Sequence, residues 1–248
     1  LGDLKQSTSL KELTITTNGS QLVKYSESMA AAGVDRVNIS LDSLKEDRFR
    51  ELTRTGELST VLAGIEAAKE AGFNRIKLNA VIMKGRNDDE VIDLAHFAID
   101  NDMDISYIEE MPLGQVSHER NESFYSSDEA LATLKNEFDL QPSLSKTGGP
   151  SRYYQVANSN SKIGFISPHS HNFCDTCNRV RVTTEGRLLL CLGQEHSVDL
   201  RDVIRSHPGD MERLKQAIID SMDIKPEGHD FEIKAQPVLF RHMSVTGG

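Results

Sequence analysis

The chain has 248 residues, 38% of them hydrophobic, and a formal net charge of −10. That length supports one large domain or two small ones around a substantial core. No apolar run reaches membrane-span length, and the acidic balance excludes broad electrostatic binding to nucleic acid. The first residues, LGDLKQSTSL, carry no initiator Met, no basic stretch and no apolar core, so they are not a signal peptide. The expectation is a cytoplasmic chain that begins inside a longer protein. Its three cysteines are an odd number, which argues against a disulfide framework and towards metal binding.

Taken from the N-terminus, apolar, β-branched runs at Leu13–Thr17, Arg36–Leu41, Ile76–Met83 and Asp104–Glu110 alternate with amphipathic stretches at Gln21–Ala32, Thr60–Ala71 and Asp88–Asp100. Gly33 and Gly72 end two of those stretches and fit left-handed C-caps. Asn87 or Asp88 is the expected N-cap of the third. Strands alternating with helices predict βαβ units and a parallel sheet. From about Val116 the pattern changes: a helix at Ser127–Asn136, a TGGP loop at 147–150, strands at Tyr153–Ala157 and Lys162–Ile166, then helices at Leu200–Ser206 and Asp210–Met222. The expected division is residues 1–115 and 116–248.

The strands are two-sided. Val37, Ile39 and Leu41 alternate with Asn38, Ser40 and Asp42, and Ile76, Leu78 and Ala80 alternate with Lys77 and Asn79. Parallel strands covered on both faces are nearly all apolar. Here the apolar face takes the helices and the polar face lines something wet, as in an incomplete barrel with a ligand in its lumen. Lys77, mid-strand between apolar neighbours, needs an anionic partner.

All three cysteines fall in HNFCDTCNRVRVTTEGRLLLCLG, His171–Gly193, which overlaps a locally basic stretch, Arg152–Arg187. Cys174 and Cys177 are close by local spacing; Cys191 must return to them. Gly186 fits the left-handed position of a three-residue hairpin loop, Thr184–Gly186. That register pairs Thr183 with Arg187 and Arg179 with Cys191, and places Cys177, Arg179, Arg181 and Cys191 on one face. Three thiolates suit an iron–sulfur cluster with one open iron, or zinc closed by His169 or His171; thiols without a metal are the third reading. The two guanidiniums weigh towards the cluster, because arginine forks bind phosphate bidentately.

ITTNG, NISLDSL, IKLNAVIMKGRNDDE, YIEEMPLG, FCDTCNRVRVTTEGRLLLCL and the terminal Gly-Gly together resemble the GTP 3′,8-cyclases. These are radical S-adenosylmethionine enzymes that open molybdenum cofactor biosynthesis. The resemblance runs from about Leu13 to Gly248 and implies an α/β fold: an incomplete parallel (βα) barrel of the radical S-adenosylmethionine type with a C-terminal cluster-binding region. It implies that Cys174, Cys177 and Cys191 hold a [4Fe–4S] cluster whose open iron meets the guanine of GTP. By the same resemblance Thr16, Lys77, Arg179, Val180 and Arg181 contact GTP, Ser40 and Met111 contact S-adenosylmethionine, and Gly247 and Gly248 form a tail entering the active site. The implied partners are GTP, S-adenosylmethionine, a reductant, a downstream cyclic pyranopterin synthase and a second copy of the chain, with no nucleic acid and no membrane.

Two departures follow from the comparison. The family's CxxxCxxC segment, which binds a second [4Fe–4S] cluster, and its Gly-Gly-Glu-Pro stretch have no counterpart here, so this chain is expected to be inactive alone. Ser106 stands where some members carry Arg, removing one phosphate contact. The rival class is a zinc-stabilised nucleotide-binding module without redox chemistry.

Overall fold

The computed structural model describes residues 1–7, 9–73, 75–116, 118–145 and 147–233; the Gly247–Gly248 tail lies outside them. The chain divides into two compact units, Leu1–Glu110 with Ser123–Ser170, and Met111–Glu122 with His171–Gly248. The split read from the sequence puts residues 123–170 with the cysteines, whereas in the structure they complete the first sheet.

The first unit opens with α1 (Gly2–Ser7), β1 (Thr14–Thr17), α2 (Leu22–Ala31), β2 (Arg36–Ser40), α3 (Glu46–Thr53), α4 (Leu58–Glu70) and β3 (Arg75–Ile82). It continues through α5 (Val91–Asp100) and β4 (Asp104–Glu109) and, after the short α6 (Arg120–Ser123), through α7 (Ser127–Lys135), β5 (Leu140–Pro142), β6 (Arg152–Val156) and β7 (Lys162–Ile166). The strands form one sheet in the order β1-β2-β3-β4-β7-β6-β5. Pairing is parallel from β1 through β4 to β7, and antiparallel at β6 and β5. Consecutive parallel strands lying side by side are the wall of a (βα) barrel, as expected.

Strand alternation explains the core. Val37, Ile39 and Leu41 are fully buried with Leu78, Ala80, Ile105 and Ile163, and they pack against Leu22, Val61, Ile65 and Leu94 from the helices. Each fully buried aliphatic side chain contributes roughly 1.5–3 kcal/mol. Gly33 and Gly72 do adopt positive φ at the ends of α2 and α4. Neither Asn87 nor Asp88 caps α5, whose N-cap is Glu90. The Asn87 amide accepts the Met83 N–H and donates to the carbonyls of Asp42 and Val81, tying β3 to the loop after β2.

The second unit carries β8 (Arg181–Val182), β9 (Arg187–Leu189), β10 (Ser197–Asp199), α8 (Leu200–Ser206) and α9 (Met211–Ser221). Its three strands are antiparallel, in the order β10-β9-β8. Leu188, Leu190 and Leu200 form its buried cluster, with Val198 and Leu214 against it. Asp199 and Asp210 cap α8 and α9, accepting the N–H groups of Asp202 and Arg213 at 3.0 and 2.9 Å. Among the described residues no helix is long and apolar enough to cross a membrane.

Candidate functional site

Register places the polar residues of the first unit in rows. Thr16, Asn38, Lys77 and Asp104 are Cα partners across β1, β2, β3 and β4. One step along, Ser40, Asn79, Ser106, Gly164 and Tyr153 form the next row. In-register residues share a face, so this is the polar face read from the alternation. Much of it is buried: Lys77 is 6%, Asn38 9% and Arg36 9% exposed, while Ser40 and Thr16 lie open.

The charges on this face do not cancel at Lys77. Asp104 is engaged by both Nε and Nη2 of Arg75, at 3.0 and 2.9 Å, and also accepts the Lys162 N–H. Arg36 pairs with Glu12 at 3.2 Å. Burial lowers the Lys77 ammonium below the ordinary lysine value; Tyr153 opposes the shift, Arg36 adds to it, and Asp104 opposes it more weakly. An ammonium held in a low-dielectric site without its own carboxylate favours an anionic ligand.

Ser106 is fully buried, and its hydroxyl lies 3.0 Å from that of Ser151. A Cβ added at the neighbouring Gly164 would stand 2.2 Å from Ser151 Oγ and 2.7 Å from Ser106 Oγ.

In the second unit the hairpin forms as predicted at its turn. Gly186 has φ +83°, and its N–H donates to Thr183 O at 2.9 Å. A Cβ there would meet Arg201 Cβ at 2.9 Å, so both the backbone and the contact require glycine. Pairing runs Arg181 with Leu189 and Val182 with Leu188, and Thr183 N–H reaches Arg187 O. The ladder stops there, so Arg179 and Cys191 lie beyond its last rung. Alternation nevertheless persists: Cys177, Arg179 and Arg181 are half-buried, whereas Asn178, Val180 and Val182 are exposed. The Val180 side chain therefore faces away from the arginines and has only its backbone to offer that face.

Cys174 and Cys177 are held by a single 3₁₀ turn in which Cys177 N–H meets Cys174 O at 2.9 Å. The Arg179 guanidinium sits 5.0 Å over the Phe173 ring. Burial lowers the Arg181 guanidinium from its ordinary value, Arg179 adds to this, and Cys177 and Cys191 oppose it. Burial raises the Cys191 thiol; Cys174 and Cys177 push it further, while the Gly193 N–H and Lys225 pull it down. Lys225 Nζ also donates to Arg179 O at 3.2 Å and to Leu190 O at 2.6 Å, joining the two chain segments that carry the site.

Among the described residues no three His, Cys, Asp or Glu side chains converge closely enough to hold a metal ion. The donor chemistry of Cys174, Cys177 and Cys191, three thiols carried by one short stretch of chain, is that of an iron–sulfur cluster. His169 is engaged elsewhere, with Nε2 2.9 Å from Glu110 O and its ring edge-on to Phe124.

Of the sequence-predicted residues, the structure brings Thr16 and Lys77 into one row with Ser40 a step along, and places Cys177, Arg179 and Arg181 on one half-buried side of their segment, with Cys174 one 3₁₀ turn before Cys177. Met111 lies in the segment after β4, half-buried, its carbonyl accepting Leu113 N–H. Lys225 was not anticipated, since no local pattern signals a lysine that closes on backbone carbonyls far away in sequence.

A wall of consecutive parallel strands with a polar face is the architecture of radical S-adenosylmethionine enzymes. Residues 3–98 match the family model of the radical SAM superfamily, and residues 103–231 match that of Molybdenum Cofactor Synthesis C. The chain is 58% identical over 241 residues to a GTP 3′,8-cyclase of Pseudomonas putida, covering 96% of this chain and 72% of that protein. It is 57% identical to a GTP 3′,8-cyclase of Saccharophagus degradans, over 97% of this chain and 73% of the relative. It is 55% identical over its whole length to GTP 3′,8-cyclase 2 of Pseudomonas aeruginosa, of which it spans 75%. The chain belongs to the GTP 3′,8-cyclase family.

Proposed function

We propose that this chain carries the substrate-holding machinery for conversion of GTP to 3′,8-cyclo-7,8-dihydro-GTP, the first step of molybdenum cofactor biosynthesis. The observation that carries the reading is the half-buried face that Cys177, Arg179 and Arg181 share by alternation. Cys174, Cys177 and Cys191 would hold a [4Fe–4S] cluster. Arg179, Arg181, Lys77 and Thr16 would bind GTP, with Val180 contributing backbone, and Ser40 and Met111 would contact S-adenosylmethionine. When bound, the clusters and S-adenosylmethionine supply the one-electron chemistry that removes a ribose hydrogen, with a reductant as electron source. The chain's own residues would bind and orient: on the hairpin the guanidinium forks suit bidentate contact with an anion, and on the sheet the buried Lys77 offers a point charge. A cyclic pyranopterin synthase would consume the product, and a second copy of the chain is a further expected partner.

Charge-assisted contacts contribute about 1.5–3 kcal/mol each, a factor of roughly 10–150 in affinity. Arg179→Ala and Arg181→Ala should each weaken GTP binding by that order in equilibrium dialysis while iron per chain is unchanged. Equal loss of iron would make the arginines structural. Anaerobic purification tests the cluster: a brown protein with iron is expected, and a colourless protein with stoichiometric zinc would overturn it in favour of a zinc-stabilised module.

A further inference from the structure

Among the described residues, the buried polar atoms of the first unit without a hydrogen-bond partner are Arg36 Nε, Asn38 Oδ1, Asn79 Oδ1 and Ser161 Oγ. The first three lie on β2 and β3 beside Lys77. Asn38 is the most constrained for a ligand role. It is 9% exposed and stands in register between Thr16 and Lys77. Its Nδ2 donates to Thr16 Oγ1 at 3.3 Å, and Oδ1 is left as an unmet acceptor. A buried amide oxygen is costly to leave unmet, so the site calls for a donor from outside the fold.

The neighbourhood defines that donor. Lys77 supplies a cation with no carboxylate of its own, and Asn38 an acceptor one strand away, about 4.8 Å in the pairing direction. A ligand that satisfies both carries an anion and, a few bonds off, a hydrogen-bond donor. In a nucleoside 5′-triphosphate the hydroxyls of the ribose are the donors nearest the phosphates, whereas the amide and amino edge of guanine is at the far end. We propose that Asn38 is a further substrate-contact residue, whose Oδ1 accepts a hydrogen bond from a ribose hydroxyl of the nucleotide that Lys77 neutralises. This deepens the proposed function and rests on the polar sheet face taking GTP.

The test is equilibrium dialysis of this chain and its Asn38→Leu and Asn38→Ala variants against GTP, 2′-deoxy-GTP and 3′-deoxy-GTP, with thermal melts alongside. Both variants should bind GTP about tenfold more weakly than wild type, the worth of one buried hydrogen bond. That penalty should fall below about twofold for one of the deoxy nucleotides, which lacks the hydroxyl Asn38 would hold. Variants that bind GTP as wild type does would overturn the proposal and leave a water-filled acceptor. A penalty identical for all three nucleotides would also overturn it, and would point to local damage. Wild-type chain that binds no GTP would overturn the underlying reading and this proposal with it; wild type that binds beside unaffected variants overturns the Asn38 contact alone.

Discussion

Two regions of the molecule present polar side chains by the same device and support them differently. On the seven-stranded sheet, Asn38 and Lys77 sit on strands whose other face is sealed by fully buried Val37, Ile39, Leu78 and Ile105. On the hairpin, Arg181 begins a strand of two residues paired with one of three, Arg179 precedes it, and three buried leucines form the cluster beneath. The sheet holds its polar row by apolar packing and register. The hairpin relies on one glycine turn and the Lys225 clasp on two carbonyls. Position is thus set by bulk burial in one region and by a few polar contacts in the other.

The sharpest contrast comes from matched core truncations. Leu78 and Leu190 are both fully buried, and Leu→Ala at such sites costs about 2–5 kcal/mol. Leu78→Ala should lower the melting temperature of the sheet unit. Leu190→Ala should abolish amide-exchange protection at 181–189 while β2, β3 and β4 keep theirs. Protected hairpin amides in the Leu190 variant would show that the small cluster is not what holds the arginines. Next in size is the turn: Gly186→Val forces a branched residue into positive φ against Arg201, a strain of about 1–3 kcal/mol. Iron per chain and GTP affinity should fall together, because Cys191 loses its return path; retained iron would show that the turn is dispensable to the ligands.

Much of this contrast was legible in the sequence. Period-two alternation gave the sheet faces, and Gly186 gave the hairpin register. Other features were not legible, for physical reasons. Helix α3, EDRFRELT, buries only Phe49 among its hydrophobic residues, so it has no apolar stripe to read. Asn87 looks like a cap, but its amide is claimed by groups on two distant segments. Residues 140–166 join the first sheet through pairings to β4 that no local pattern encodes. The candidate site divides the same way: cysteine spacing and strand faces are local, whereas Lys225 and the unmet Asn38 acceptor depend on contacts remote in sequence.

The smallest expected effect probes the sheet's own electrostatics. Asp42, half-buried just past β2, accepts the Val81 N–H at 2.8 Å. Burial raises its carboxyl from 3.8 to about 6, the Val81 bond opposing. A folded pKa above the unfolded one means that the stability this group contributes is full below about pH 4 and is lost as pH rises through about 6. At neutral pH the charged form therefore burdens the sheet. Asp42→Asn keeps an acceptor for Val81 and removes the charge. It should stabilise the sheet unit at pH 8 by roughly 1–2 kcal/mol, the full shift being discounted for partial exposure, and the gain should vanish below pH 4. Melts of both proteins from pH 4 to 8 would show this; a gain equal at both ends would mean that packing, not charge, separates them.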